Sequence, residues 1–398
     1  MSLDAGSHLR AAVGVPREAA PGENRVALVP TVVRQLARSG LEVIVERGAG
    51  RSAGVPDEHY ATHGASLGSR EDALAADIVV RVRGWGTDDV ELARVQHPGQ
   101  VVIGMADALA SPLAVRAAAD DGLTAIALDL MPRITRAQSM DVLSSQATVT
   151  GYRAVLLAAD RLPKMFPMLT TAAGTVPPAQ VLVVGAGVAG LQAIATARRL
   201  GAVVQAYDVR PAAQEDIESL GARSVLLPLS PGDAEDASGY AKELGEAFYR
   251  RQQDLLAEVA AGVDVIVTAA LIPGSPAPML ITADAVAGMR PGSVVVDCAA
   301  ERGGNCEVTR PDETVLTENR VTILGPTNLP STVPRDASLM YAKNVGAFLA
   351  LITKEGQIVL DAEDEIVRET LVTRAGAIVN ERVLRAIDGG ARCLTPSR

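Results

Sequence analysis

One short stretch near the middle of the chain combines an apolar run, three closely spaced glycines and a second apolar run that ends in an acidic residue. The first run is Gln180–Val184, the glycines are Gly185, Gly187 and Gly190, and the second run ends at Asp208. An amphipathic stretch of helical length separates the two runs. This order predicts a βαβ unit in which the two apolar runs are neighbouring parallel strands covered by a helix.

Apolar runs of this kind recur along the chain and alternate with stretches of helical periodicity. The first 130 residues contain several, and a second set of six follows at Gln180–Val184, Val203–Asp208, Ser224–Leu229, Val263–Ala269, Ser293–Cys298 and Val321–Leu324. Continuous Val, Ile and Leu runs separated by helices are typical of parallel sheets covered on both faces. The sequence therefore predicts an α/β protein with two doubly wound, Rossmann-like domains.

The segment after Pro334 is too small to form a domain of its own. It contains a predicted long helix at Ala337–Thr353, a strand-like piece at Ile366–Thr373 and a short terminal helix. We expect this segment to pack onto the N-terminal domain, which makes that domain discontinuous. A further predicted helix, over 141–162, links the two domains. The predicted domains are 1–142 with 335–398, and 143–334.

Composition and charge exclude several classes of protein. Of the 398 residues only 3% are aromatic, and the formal net charge is −10. Nucleic-acid binding needs basic surfaces and, for single strands, aromatic faces, so no nucleic-acid partner is expected. The two longest uncharged runs are interrupted by prolines or glycines. Because such residues disfavour a membrane-spanning helix, we predict a soluble chain without direct membrane insertion.

The sequence offers few residues for metal binding or nucleophilic catalysis. Its three cysteines lie far apart, which favours a reducing compartment and gives no metal-ligand spacing. All four histidines (His8, His59, His63 and His97) lie in the first quarter of the chain. No metal site is predicted, and the later three quarters contain no histidine for general acid–base catalysis.

The three glycines of the central stretch have the spacing of a dinucleotide-binding turn. Gly185 permits a tight turn from strand to helix, Gly187 lets a pyrophosphate approach the backbone, and Gly190 lets the helix pack closely on the strand. The helix N-terminus then offers N–H groups to the phosphates. The alternative is a glycine-rich turn with no ligand, and the surrounding strand–helix–strand context favours a nucleotide.

Asp208 indicates which nucleotide is bound. It follows Gly185 by 23 residues, at the position where a carboxylate accepts hydrogen bonds from the adenosine ribose. Its charge would repel a 2′-phosphate, which favours NAD(H) over NADP(H). Arg210 keeps NADP(H) open, because a guanidinium can hold a 2′-phosphate. Asp208 could also act only as a capping residue.

A second cluster of polar side chains follows an apolar strand and precedes the linking helix. It comprises Arg133, Gln138, Asp141 and Ser144, in a loop expected to face the cleft between the domains. Asp141 and Ser144 are three residues apart and share one helix face. Spacing alone leaves two interpretations open, a binding loop and a helix cap with solvated charges.

Several long segments resemble a known family. They are MPRITRAQSMDVLSSQ, TAAGTVPPAQVLVVGAGVAGLQA, GYAKE, TAALIPGSPAP, GGNC and GPTNLPS. These segments are similar to the NAD(H)-binding component of proton-translocating NAD(P) transhydrogenases, which some bacteria make as a separate soluble alpha subunit. The similarity runs from about Val15 to Val379. One departure is Ser275, where the family commonly has lysine.

The resemblance implies a reaction, partners and a location. In this family hydride moves directly between NAD(H) on the alpha subunit and NADP(H) on a partner subunit, so no general acid or base is needed. A membrane-spanning subunit couples the transfer to proton translocation. The chain is then expected to be an oxidoreductase subunit that is inactive alone, forms a homodimer, and lies in the cytoplasm, peripheral on the inner face of the cell membrane through its partners.

The resemblance also implies roles for individual residues. Arg133, Gln138 and Asp141 would act at the nicotinamide, with Ser144 beside them. The pyrophosphate and adenosine side would be bound by Gly185, Gly187, Val188, Ala189, Gly190, Asp208 and Arg210. Thr268 and Leu271 would lie beside the nucleotide. Tyr240 would form the tip of a mobile lid supported by Gly239 and Gln252, although an aromatic anchor for a surface loop explains Tyr240 equally well.

Two other functions remain open from the sequence. Alanine dehydrogenases share this architecture but need a histidine and a lysine in the N-terminal domain. The corresponding stretches here read Arg81-Val-Arg83-Gly and Gly104-Met-Ala-Asp107-Ala, without either residue. Arg25 remains and could bind a carboxylate without acid–base chemistry. The second alternative is a protein that binds NAD without catalysis.

Overall fold

The computed structural model describes residues 11–85, 97, 99–226, 246–271 and 274–393. The chain divides into two compact units. The first contains the described residues up to Gln146 and those from Val333 onward, and the second is Ala147–Thr332. Within these described residues, none of the helices combines the length and the apolar character needed to cross a membrane.

The strands are numbered in chain order. They are β1 Ala12–Val15, β2 Glu42–Glu46, β3 Ser66–Gly68, β4 Ile78–Arg83, β5 Val101–Met105, β6 Thr124–Ala127, β7 Leu169–Thr171, β8 Gly174–Val176, β9 Gln180–Val184, β10 Val203–Tyr207, β11 Arg223–Ser224, β12 Val265–Thr268, β13 Val294–Asp297, β14 Thr314–Leu316, β15 Thr322–Leu324, β16 Thr353–Lys354, β17 Gln357–Ile358, β18 Leu371–Arg374 and β19 Ala377–Ile378.

The α-helices are numbered in the same way. They are α1 Pro30–Arg38, α2 Asp57–Thr62, α3 Arg70–Leu74, α4 Pro112–Asp120, α5 Val142–Arg161, α6 Val188–Arg199, α7 Ala213–Ser219, α8 Glu246–Ala260, α9 Ala283–Ala287, α10 Pro334–Ile352, α11 Glu365–Thr370 and α12 Glu381–Cys393. A 3₁₀ helix, Thr135–Met140, precedes α5.

The first unit contains a sheet of order β19-β18-β6-β5-β4-β1-β2-β3. Strands β1 to β6 are parallel to their neighbours, and the hairpin β18–β19 adds two antiparallel strands at the β6 edge. The strand order reverses between β1 and β4. The C-terminal segment therefore completes the sheet that the N-terminal segment begins, and the predicted α/β, doubly wound class is confirmed.

Helix α10 supplies much of the core of the first unit. Tyr341, Val345 and Phe348 have no exposed surface and share one apolar cluster with Val13 and Val43 of β1 and β2. These three helix residues are spaced by three or four positions, so they lie on one face of the helix. The hydroxyl of Tyr341 also donates a hydrogen bond to a main-chain carbonyl of β4 at 2.6 Å.

The prediction of a strand-like piece at Ile366–Thr373 is wrong for its first half. Helix α11 occupies Glu365–Thr370, and only the following residues form β18. The side chain of Asp364 accepts a hydrogen bond from the N–H of Ile366 at 2.8 Å and so caps the helix. The β-branched residues of this piece have high strand propensity, but capping and burial of Ile366 and Val367 outweigh that propensity.

The second unit contains a sheet of order β11-β10-β9-β12-β13-β15-β14. All pairs are parallel except β14–β15. The order reverses between β9 and β12, which places the carboxyl ends of these strands at a topological switch point. The predicted strand Ser224–Leu229 is shorter than expected, because β11 ends at Ser224 and residues 227–229 lie outside the described part.

The contribution of α10 can be tested by truncating its central aromatic side chain. Phe348→Ala removes a fully buried ring, so we expect the free energy of unfolding to fall by about 3–5 kcal/mol. Urea denaturation followed by circular dichroism measures this loss. Val359→Ala, at a residue that is 46% exposed in the same segment, is the matched control and should change stability by less than about 0.5 kcal/mol. Equal effects of the two substitutions would contradict a core role for α10.

Candidate functional site

The turn after β9 brings two backbone segments into contact. Gly185 has φ +95°, and its N–H donates to the carbonyl of Tyr207 in β10 at 2.8 Å. A Cβ at Gly185 would lie 2.9 Å from the backbone of Ala269 and Ala270, the residues that follow β12. Both the left-handed conformation and this close approach require glycine.

The other two glycines of the turn have different surroundings. A Cβ at Gly190 would lie 1.8 Å from the carbonyl oxygen of Gly185, so α6 rests directly on the turn. A Cβ at Gly187, in contrast, would meet no atom within 4 Å. Gly187 precedes α6, and no side chain caps this helix. The first N–H groups of α6, including those of Val188 and Ala189, thus begin beside an open space suited to a phosphate.

Asp208 lies directly after β10 and is held between two elements. Its carboxylate accepts a hydrogen bond from the N–H of Ala186 at 2.7 Å and one from the N–H of Arg210 at 2.8 Å. The guanidinium of Arg210 folds back onto the same carboxylate, with distances of 2.9 and 3.0 Å from Nε and Nη2. Four hydrogen bonds therefore converge on Asp208, and half of them come from the Arg210 guanidinium.

The segment after β12 combines one buried and one exposed residue. The side chain of Thr268 is fully buried and donates to Asp297 at 2.9 Å, whereas Leu271 is 44% exposed. Asp297 also accepts hydrogen bonds from the N–H of Cys306 and the hydroxyl of Thr309. Thr268 thus supports the loop through the interior, and Leu271 is the residue of this pair that a ligand could contact.

Asp297 is a structural residue that the sequence analysis missed. Its side chain is fully buried, yet its four hydrogen bonds connect β12 with the segment 299–309. A signal was present, because an acidic residue near the end of an apolar run needs partners if it is buried. The identity of those partners could not be predicted from the sequence.

Gln252 lies beside β10, on helix α8. It is only 2% exposed, and its amide donates to the hydroxyl of Tyr207 at 2.7 Å. Among the described residues, its Oε1 atom has no hydrogen-bond partner. Burial raises the pKa of Tyr207 to about 12, so that hydroxyl stays protonated. Gly239 and Tyr240, predicted to form the lid with Gln252, lie outside the described residues.

The second polar cluster lies in the first unit, in the segment 131–144, which we call the polar loop. Ala137 and Met140 are buried, while Arg133 and Gln138 are exposed. In a 3₁₀ helix residues three apart share a face, which explains why Ala137 and Met140 both point into the core. The structure therefore presents Gln138 to solvent on a short helix whose other face is anchored.

Asp141 caps helix α5. Its two carboxylate oxygens accept hydrogen bonds from the N–H and the hydroxyl of Ser144, at 2.9 and 2.5 Å. The capping interpretation of this pair is thus correct, but it does not exclude binding. Each carboxylate oxygen has two lone pairs, so each can accept a further hydrogen bond from a ligand.

The predicted site residues fall into two groups. In the second unit the glycine turn, Asp208 and the segment with Leu271 follow the carboxyl ends of β9, β10 and β12, which are adjacent in the sheet. Ligands of open parallel sheets bind at such a reversal of strand order. In the first unit the polar loop brings together Gln138, Asp141 and Ser144. Metal binding receives no support from the described part of the chain, where no group of three or more His, Cys, Asp or Glu residues could hold an ion.

Comparisons with known proteins agree with this architecture. Family models described as alanine dehydrogenase/PNT, N-terminal domain and C-terminal domain match residues 14–150 and 154–381. The chain is 48% identical over 378 residues to an NAD(P) transhydrogenase alpha subunit of Rhodospirillum rubrum, covering 92% of this chain and 97% of that one.

Solved structures give the same result. The transhydrogenase from Sinorhizobium meliloti matches with a TM-score of 0.83 and 44% identity, covering 92% of this chain and 100% of that one. An L-alanine dehydrogenase matches with a TM-score of 0.76 and 26% identity, covering 95% and 99%. The family resemblance predicted from the sequence is confirmed: the chain belongs to the alanine dehydrogenase/PNT family and, within it, to the alpha subunits of NAD(P) transhydrogenase.

Proposed function

We propose that this chain is the NAD(H)-binding subunit of a proton-translocating NAD(P) transhydrogenase. Hydride is transferred directly between NADH on this chain and NADP⁺ on a partner subunit, and a membrane-spanning subunit couples the transfer to proton translocation. The chain alone is inactive. It forms a homodimer in the cytoplasm, peripheral on the inner face of the cell membrane through its partners. Its similarity to transhydrogenase alpha subunits along nearly its whole length supports this proposal.

The observation that carries the choice of NAD(H) is the arrangement of Asp208 and Arg210. The Arg210 guanidinium is paired with the Asp208 carboxylate at 2.9 Å and is only 19% exposed. A 2′-phosphate would meet the Asp208 charge and would have to compete for Arg210. The ribose hydroxyls of NAD(H) instead need only an acceptor, which Asp208 provides when Arg210 gives up one hydrogen bond.

The residues of the polar loop suit a carboxamide. Gln138 has both a donor and an acceptor, and its side chain makes no hydrogen bond within the described part of the chain. Asp141 keeps acceptor capacity on both oxygens after binding Ser144. Exposed Arg133 adds positive charge nearby. The bound coenzyme supplies the hydride, so these residues need only to orient the ring, and no side chain has to transfer a proton.

A specific interaction disfavours the alanine dehydrogenase alternative. Arg25 is buried, and its guanidinium binds both carboxylate oxygens of Glu23 at 2.7 and 2.6 Å. Its remaining nitrogen, Nη1, donates to Gln146 at 2.8 Å. An internal carboxylate thus takes the fork that a substrate carboxylate would need. With no lysine or histidine in the corresponding stretches, the first unit is poorly suited to keto-acid chemistry.

Coenzyme choice can be tested at Asp208. Asp208→Asn removes the charge and weakens the pairing with Arg210, so we expect affinity for NADH to fall about tenfold and affinity for NADPH to rise. Isothermal titration with each nucleotide measures both constants. Asp254→Asn, at an exposed acidic residue on α8, is the control and should change neither. An unchanged NADH-to-NADPH ratio in Asp208→Asn would contradict the role of this carboxylate.

The reaction can be tested by reconstitution. Mixing the chain with an NADP-binding transhydrogenase subunit should give hydride exchange between NADH and NADP⁺, followed by absorbance with a nicotinamide analogue. Gln138→Leu keeps the size of the side chain but removes its donor and acceptor, and should slow the exchange about tenfold or more. Thr135→Ala, exposed on the same 3₁₀ helix, should be neutral.

Each alternative has its own outcome in this experiment. Failure of the unsubstituted chain to exchange hydride, although it binds NADH, would favour a non-catalytic NAD-binding protein. Production of NADH from NAD⁺ and alanine, without any partner, would favour an alanine dehydrogenase.

A further inference from the structure

The polar loop is held from the C-terminal segment of the first unit. We propose that Asn344 on α10 and Asp364 before α11 are positioning residues that set the direction of the Gln138 side chain. This inference rests on the proposed function of the polar loop. It deepens that function, because it assigns a role in hydride transfer to residues far away in the sequence.

Apolar contacts fix the height of the loop but not its rotation. Ala137 and Met140 lie in the same buried cluster as Tyr341 and Val345 of α10. Hydrophobic contacts are non-directional, so they tolerate small shifts and rotations of the 3₁₀ helix. Directional interactions are needed to orient a side chain that projects from the opposite face.

The first directional interaction comes from α10. The amide of Asn344 donates to the carbonyl of Ser139 at 2.8 Å, and these residues are 205 positions apart. Asn344 is 8% exposed, and its Oδ1 atom is buried without a hydrogen-bond partner in the described structure. An apolar side chain would fill the same place without a buried unpaired oxygen. The asparagine is therefore explained by the bond to Ser139 and not by stability.

The second directional interaction is an ion pair on the other side of Gln138. Both terminal nitrogens of Arg136 donate to the carboxylate of Asp364, at 2.6 and 2.9 Å, over 228 positions of sequence. Two parallel hydrogen bonds fix orientation better than a single contact. The hydrogen bond with Arg136 also lowers the pKa of Asp364. Because Asp364 caps α11 as well, the pair ties the loop to the start of a helix.

The two interactions bracket Gln138. One holds the side chain of Arg136, two residues before it, and the other holds the main chain of Ser139, one residue after it. Gln138 makes no side-chain hydrogen bond among the described residues, so its direction depends on this backbone. Loss of either interaction should let the 3₁₀ helix rotate, while its apolar face stays in the core.

The test uses substitutions that remove one interaction each and keep the rest. Asp364→Asn removes the charge that binds Arg136, yet asparagine still caps α11. Asn344→Asp is isosteric but cannot donate to the carbonyl of Ser139. Asp364→Glu keeps the charge and serves as the conservative variant. Glu381→Gln breaks an exposed ion pair with Arg385, at 2.7 Å in the same segment, and serves as the control.

Two measurements are made on each variant. Hydrogen exchange of the chain without nucleotide should show amides 138–140 exchanging about tenfold faster in Asp364→Asn and Asn344→Asp, because local opening becomes easier. In the reconstituted reaction the hydride-transfer rate should fall about tenfold, since the carboxamide is held less well. Glu381→Gln should match the unsubstituted chain in both, and Asp364→Glu should recover most of the rate.

The outcomes separate this inference from the function on which it rests. Faster loop exchange together with slower hydride transfer supports the positioning role. Variants that lose thermal stability but keep normal loop exchange and a normal hydride-transfer rate would overturn the positioning role and leave the proposed function intact. An unsubstituted chain that fails to bind NADH would overturn the proposed function itself.

Discussion

The second unit depends on two stretches of backbone that touch without any side chain between them. A Cβ at Gly190 would lie 1.8 Å from the carbonyl oxygen of Gly185, and one at Gly185 would lie 2.9 Å from the backbone after β12. These contacts set how closely α6 approaches β9 and β12. They thereby place the uncapped start of α6 and the open space at Gly187 beside Asp208, where a phosphate and a ribose can be bound together.

The two sheets share the reversal of strand order but use it differently. At the end of β4 in the first unit, buried Glu18 accepts hydrogen bonds from the N–H groups of Val82 and Arg83, at 2.6 and 3.2 Å. Glu23 occupies Arg25 in the same unit. Internal carboxylates thus satisfy donors that an anionic ligand would otherwise need. In the second unit the corresponding donors remain at the start of α6, so the same topology leaves room for a nucleotide.

The sequence was sufficient for features that depend on neighbouring residues. Apolar runs predicted strands such as β9, β12 and β13, and the glycine spacing predicted the turn at Gly185, because both signals are local. The piece at Ile366–Thr373 was misjudged, since a cap at Asp364 decided its conformation. The four partners of Asp297 and the pairing of Arg136 with Asp364 could not be predicted, because they join residues that only the tertiary fold brings together.

The candidate site was predictable to a similar extent. Asp208 was recognised from its spacing, but the folded-back position of Arg210 was not, because a flexible side chain has many rotamers that the sequence does not distinguish. Spacing alone left two interpretations of Asp141 open, and the hydrogen bonds to Ser144 support the cap while leaving lone pairs for a ligand. The support of the polar loop by Asn344 was missed entirely.

The pairing of β6 with β18 has a consequence for biosynthesis. The hydroxyl of Thr373 accepts a hydrogen bond from the N–H of Ala125, a residue made 248 positions earlier. On the ribosome, the nascent first unit therefore waits with an open sheet edge while all of the second unit is translated. Exposed edges invite intermolecular pairing, so slow translation or premature termination after residue 332 would leave an aggregation-prone product that chaperones have to shield.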